Sequence, residues 1–185
     1  MGANAANAML FLVTTLFDLV LWVYLLRILL QAVRADFYNP ISQAIFRVTR
    51  FPTDWLRPYL PVVRGINLAA ALALAVLAIV YIYVVTAMLG FSINPASSLW
   101  YASLKLVALT VNLYTLTLFV QAIMSWLGPG VNNPASNILW SLNEPLLRPV
   151  RRILPAMGGL DLAPLAVILL LQVANRLLPL PGAFR

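Results

Sequence analysis

The sequence predicts an all-α membrane protein: four transmembrane helices arranged as two parallel two-span repeats, each with a short amphipathic interfacial helix. Three observations predict it. First, 63% of the residues are hydrophobic and only 9% are charged, where a soluble domain carries roughly 25% charge. A soluble core of this size has no room for that much apolar surface. Second, apolar stretches of bilayer length recur along the chain. Third, the polar stretch that follows the first of them recurs in the second half with the same Asn-Pro start and the same apolar spacing.

A spanning helix needs about 20 predominantly apolar residues. The first such segment runs over 8–30 and holds Asp18 and Arg27 inside it. The preceding residues lack a basic n-region, and no small-residue cleavage site follows the apolar run, so this segment is expected to stay as a span and not to leave as a signal peptide. The second runs over 66–89 without a charge, and the third over 99–127 with Lys105 near its start. The fourth, 162–178, is the shortest; Arg176 lies near its end and Pro164 in its first turn, where proline is tolerated.

The loops alternate in charge. Residues 34–65 include Arg34, Arg47, Arg50, Arg57 and Arg64, and residues 128–160 include Arg148, Arg151 and Arg152. The stretch 90–98 and the residues ahead of the first span hold no charge. The positive-inside rule then puts both arginine loops in the cytoplasm and both termini outside; Arg185 opposes this as a single charge.

The repeat fixes the organisation. Asn39-Pro40 recurs as Asn133-Pro134, an offset of 94 (133 − 39). At the same offset Ser42 meets Ser136, Leu60-Pro61 meets Leu154-Pro155, Gly65 meets Gly159 and Asn67 meets Asp161, a swap between two helix N-caps. Arg57-Pro58 meets Arg148-Pro149 only after a local shift of three. The units are 1–91 and 92–185. Each has two spans, so both enter the membrane from one side.

Each Asn-Pro pair reads as an N-cap followed by proline at the first helical position. Ile41, Ala44, Ile45 and Val48 then form one apolar stripe, matched by Ala135, Ile138, Leu139 and Leu142. Ser42, Gln43, Arg47 and Arg50 take the other side. About 11 residues cannot cross a bilayer, so each segment is expected to lie among headgroups or against the spans, ended by the downstream prolines; a re-entrant loop is the alternative.

The stretch "LLRILLQAVRADFYNPISQAIFRVT", followed by "LRPYLP", resembles the YggT family of small bacterial membrane proteins, related to YlmG proteins and plastid homologues. "NEPLLRPVRRILPAMGGLDLAPL" resembles the family's second repeat. The chain departs from the pattern where Tyr59 follows Arg57-Pro58 in place of a second basic residue. The resemblance implies a multi-pass protein of the bacterial inner membrane. It also implies links to cell division, chromosome or nucleoid distribution and osmotic tolerance, with cytochrome assembly in some plastid members. It implies no defined biochemical activity.

Several polar residues fall within the expected spans. Asp18 at mid-membrane costs roughly 2.5–3.5 kcal/mol on insertion scales unless it faces protein or water. Lys105 and Arg176 lie toward the same side of the membrane, and either can reach Asp18 from a neighbouring helix. Such a pair serves as a proton or cation relay, or as an ion pair that fixes helix register. Arg27, Gln31 and Arg34 form a stripe toward the cytoplasmic side; their repeat counterparts are Gln121, Ser125 and Gly128. Arg27 is expected to snorkel to the headgroups or to point inward with Gln121. Asn112, Gln172 and Asn175 are expected to hydrogen-bond between helices. Arg47, Arg50, Arg57, Arg148, Arg151 and Arg152 suit anionic lipid headgroups or a membrane or cytoplasmic protein partner. Nothing resembles a nucleic-acid-binding fold.

These residues bound the function. The chain has no histidine and no cysteine, and its acids are Asp18, Asp36, Asp54, Glu144 and Asp161. No acid–base pair, metal site or cofactor site is legible, so the expectation is not an enzyme. A non-catalytic scaffold or assembly factor fits the small extramembrane mass and the two basic loops. A small channel or ion-linked transporter fits the polar span residues, but with so few spans it calls for a homo-oligomer to build a pore.

Overall fold

The computed structural model describes residues 3–127, 133–154 and 161–184. Three of its helices are long and apolar enough to cross a membrane: α1 (Ala3–Ala32), α4 (Leu68–Met88) and α5 (Pro95–Leu127). Their ends follow from local chemistry. At the end of α1 the Arg34 amide donates to the Gln31 carbonyl and the Ala35 amide to the Leu30 carbonyl. This is a Schellman turn with Arg34 in the left-handed region at φ 52°. The same turn closes α4 at Gly90, where φ is 76° and glycine carries no penalty. The Asn67 side chain caps α4 by accepting from the amides of Ala69 and Ala70.

The fourth expected span is shorter than a bilayer. Helix α7 (Ala163–Leu177) has 15 residues, or about 22 Å at 1.5 Å per residue. After it the chain turns back, and a 3₁₀ turn at Gly182–Phe184 seats Phe184 against Tyr101, ring centres 5.4 Å apart. Helix α1 packs on α4, α4 on α5, and α5 on α7. The main core lies between α1, α4 and α5, around Leu21, Tyr81, Ile82 and Val85, all fully buried.

The two amphipathic segments differ from each other and from expectation. The first is a broken helix: α2 (Pro40–Val48) and α3 (Arg50–Leu56) meet at Thr49, with extended backbone at Phe51 (φ −83°, ψ 132°) ahead of Pro52. A hairpin follows, β1 (Val62–Val63) against β2 (Ile66–Asn67). Its two-residue turn, Arg64-Gly65, has both φ angles positive, as a type I′ turn requires. The second segment is one helix of 20 residues, α6 (Pro134–Ile153), with Pro145 and Pro149 inside it. The prolines therefore do not end it. They lie four apart on its exposed face, so the missing donors fall on a single side. The counterpart turn at Gly159, with Pro155, Gly128 and Arg185, lies outside the described residues.

The expected apolar stripes need correction. Ile45 is buried and Ile41 half-buried, but Ala44 and Val48 are exposed. Ser42 and Thr49 take their places inside. In α6, Ile138 and Leu142 are buried, whereas Ala135 and Leu139 are half-buried. The reason is that these helices seat on each other as well as on α1. Leu30, Ile45, Ile138 and Leu142 make a single apolar cluster. At the helix starts, Asn39 Nδ2 donates to the Pro134 carbonyl at 2.7 Å while Asn39 Oδ1 caps the Ile41 amide at 2.9 Å. Asn133 and Ser136 form a reciprocal capping box on α6. The exposed side carries Tyr38, Phe51, Trp55, Tyr59 and Trp140, residue types that collect at membrane–water boundaries.

Candidate functional site

Several polar residues of the long helices are paired across helix seams. Lys105 Nζ lies 2.8 Å from Asp18 Oδ1, with side-chain exposures of 2% and 29%. The ammonium also sits 4.6 Å from the centre of the Tyr81 ring, a cation–π contact. Arg176 does not take part; it is exposed near the end of α7 and makes no ion pair among the described residues. Asn175 Nδ2 donates to Asn112 Oδ1 at 2.8 Å, and Gln172 Nε2 to Thr115 Oγ1 at 3.1 Å. Both bonds join α7 to α5. Asp18, Lys105, Asn112 and Asn175 border a cavity of about 70 Å³ that Phe184 also lines, enough for a few waters.

Arg27 neither snorkels nor meets Gln121. It is 7% exposed, and its guanidinium donates to the Thr49 carbonyl at 2.9 Å and to Thr49 Oγ1 at 2.8 Å. It also lies 5.3 Å from the Phe46 ring centre. The break between α2 and α3 is what turns the Thr49 carbonyl and hydroxyl toward α1. Gln121 instead accepts from Asn143 Nδ2 at 2.7 Å, and Asn143 Oδ1 accepts from Thr117 at 2.8 Å. The two pairs occupy matching positions, since 27 and 49 become 121 and 143 at the repeat offset of 94. Thr49 and Asn143 went unnoticed in the sequence, although the offset with polar residues at all four places was a usable signal.

A cavity of about 560 Å³ opens beside Arg27. Arg27 and Gln31 line it from α1, and Arg47, Arg50 and Arg57 from the broken helix and the residue after it. Asp54 stands at its rim paired with Arg50. Gln31 also accepts from the Asn67 amide at 3.0 Å, tying α1 to the start of α4. Arg34 is exposed and does not line the cavity.

The second repeat has a cavity in the corresponding place, about 300 Å³, lined by Gln121, Ser125, Arg151 and Asp161 among apolar side chains. Arg151 is tied to Glu144 at 2.8 Å and to Asp161 at 2.9 Å. Asp161 also accepts from the Ala163 amide at 3.0 Å. Arg148 and Arg152 are exposed.

The family model described as CCB3/YggT matches residues 6–88 and again residues 100–181. The chain belongs to the CCB3/YggT family. Among its relatives is a Vibrio alginolyticus protein, described as an uncharacterized protein in the proC 3′ region. It is 41% identical over 174 residues, covering 93% of this chain and 94% of that one. The uncharacterized protein YggT of Escherichia coli K12 is 38% identical over 170 residues, 91% of this chain and 88% of that one. A Pseudomonas aeruginosa relative is 34% identical over 178 residues, 95% and 89% of the two chains. No solved structure matches the chain. The names of these CCB3/YggT relatives carry no catalytic activity.

Proposed function

We propose that this CCB3/YggT protein is a non-catalytic scaffold or assembly factor of the bacterial inner membrane. Its proposed service is cell division, chromosome distribution or envelope and osmotic homeostasis. Its four crossing segments form two parallel repeats, with the short α7 as the fourth. The arginine loops lie in the cytoplasm and both termini outside. Two matches of one family model, starting at residues 6 and 100, support the repeat. Their starts differ by 94 (100 − 6), the offset of the Asn-Pro motif.

The observation that carries the scaffold reading is the pairing of Asp18 with Lys105, Asn112 with Asn175, Thr115 with Gln172 and Gln121 with Asn143 within helix seams. The 70 Å³ and 560 Å³ cavities share no lining residue. Between Asp18 and Arg27, about 13 Å along α1, stand Leu21, Tyr24 and Leu25, all buried. An ion crossing within one chain would have to break that layer. A small oligomeric channel or ion-linked transporter is the second reading, and the 70 Å³ pocket is the observation in its favour.

The test exploits the ion pair. Removing one partner of a buried pair costs about 3–5 kcal/mol, whereas replacing both with apolar groups is often neutral. Asp18→Leu alone should sharply lower the amount of protein in membranes. Asp18→Leu with Lys105→Met should restore most of it. Reconstituted vesicles of wild type and double variant should leak protons and cations no faster than empty vesicles. A wild-type flux that the well-folded double variant lacks would overturn the scaffold reading in favour of transport. Orientation has its own check. Tyr59→Cys and Ile153→Cys, at positions 83% and 81% exposed, should resist a membrane-impermeant thiol reagent in intact cells while Asn94→Cys reacts; the reverse pattern inverts the topology.

A further inference from the structure

We infer that the cavity beside Arg27 is a binding site for a phosphate ester, with Arg27 as its floor and Arg47, Arg50 and Arg57 at its mouth. Four arginines against the single carboxylate of Asp54 line it. Asp54 holds Arg50, and Arg47 and Arg57 have no ion pair among the described residues. Arg27 is 7% exposed, and its guanidinium donates to the neutral carbonyl and hydroxyl oxygens of Thr49, with no ion pair among the described residues. A buried cation with no anion beside it is costly, and an anion seated in the cavity supplies the countercharge. Guanidinium groups present planar paired donors that match phosphate oxygens. At about 560 Å³ the cavity is in the size range of small-molecule sites. Phe37, Phe46 and Val62 give it apolar walls, which suit the glycerol and first acyl carbons of a phospholipid.

The second repeat is the internal control. Its matching cavity replaces Arg27 with Gln121, Gln31 with Ser125 and Asn67 with Asp161, and its Arg151 is neutralised by Glu144 and Asp161. The same architecture is thus cationic in one copy and near neutral in the other. A scaffold gains from such a site a reading of membrane composition, yet the inference stands whether or not the scaffold reading does.

The phosphate has two sources, an anionic phospholipid headgroup or a soluble phosphate, and the test separates them. The full chain is purified in mild detergent. Native mass spectrometry follows retention of added phosphatidylglycerol against phosphatidylcholine, and thermal unfolding is followed with and without inorganic phosphate and glycerol 3-phosphate. Arg50→Gln with Arg57→Gln removes two mouth charges, and Arg148→Gln with Arg152→Gln removes two exposed charges from the second repeat. The expected result is one retained phosphatidylglycerol per chain, weakened at least tenfold by the mouth variant and less than twofold by the control. Stabilisation by inorganic phosphate or glycerol 3-phosphate, lost in the mouth variant alone, assigns the site to a soluble ligand and supports it equally. Equal losses in both variants would mean diffuse surface charge and overturn the inference. So would no stoichiometric retention together with no stabilisation by either soluble probe.

Discussion

The two repeats solve one packing problem with different chemistry. In each, a polar residue on the long helix, at 27 or 121, meets a polar residue on the amphipathic segment, at 49 or 143. In the first repeat the segment breaks, and a charged guanidinium binds the buried carbonyl and hydroxyl of Thr49 at the break. In the second the segment is a continuous helix whose backbone is used internally, so a side-chain amide answers a side-chain amide. The break also opens the wider, arginine-lined cavity, whereas the continuous helix keeps the narrower one. The interrupted helix thus goes with a wide cationic pocket and the continuous one with a narrow, near-neutral pocket.

The comparison breaks most visibly where the repeats share their core. Ile45→Asp and Leu142→Asp each put a carboxylate into the same cluster with Leu30 and Ile138. Each should cut accumulation in membranes to below a tenth of wild type, as seen by quantitative immunoblotting. Leu139→Asp, at a half-buried position, should be distinctly milder. Equal tolerance of all three would mean that the two segments do not seat on each other.

Next comes the asymmetry at the matched polar positions. Gln121→Leu leaves the amide of fully buried Asn143 without its acceptor, a loss of about 1–3 kcal/mol. Arg27→Leu leaves Thr49 satisfied, because its carbonyl still accepts from Thr53 at 2.8 Å and its hydroxyl still donates to Ile45 at 2.7 Å. Thermal unfolding in detergent should rank Gln121→Leu as the more damaging, and the opposite ranking would show Arg27 to be the main structural tie. Smaller still are the caps. Asn39→Ala and Asn133→Ala should each cost about 1 kcal/mol, with Asn39→Ala the larger because it also loses the bond to Pro134. Arg47→Gln, on the exposed side, should stay within about 0.5 kcal/mol of wild type.

The three long helices, the caps at Asn39, Asn67 and Asn133 and the repeat offset were legible in the sequence because each rests on a local pattern. The break was legible only in part: the extended backbone at Phe51 ahead of Pro52 follows a local rule, but the bond from Arg27 to Thr49, 22 residues apart, does not. The length of α6 was hidden by Pro145 and Pro149, which normally mark a helix end. Only their common exposed face lets the helix continue. Residue types point Arg27 to the headgroups or to Gln121; one of its actual acceptors is the Thr49 carbonyl, which no residue type shows, and the other is the Thr49 hydroxyl. Asp18 offered two cationic partners on paper. The packing of α1 against α5 brings Lys105 to it, whereas Arg176 is exposed near the end of α7 and makes no ion pair among the described residues. The cavity beside Arg27 is a tertiary product of α1, the broken helix and the hairpin, and no single stretch announces it.

The hydrogen bond from Asn39 to Pro134 has a consequence in time. Its partners stand 95 residues apart, and chain growth at about 5–20 residues per second separates their synthesis by roughly 5–19 s. During that interval α2 is complete, yet the face of Ile45 that Ile138 and Leu142 will cover is bare. The first half of the protein therefore leaves the ribosome with an unfinished apolar surface around Ile45, open to whatever apolar partner stands nearest. Residues 134–142 then arrive as the clasp that ends this exposure.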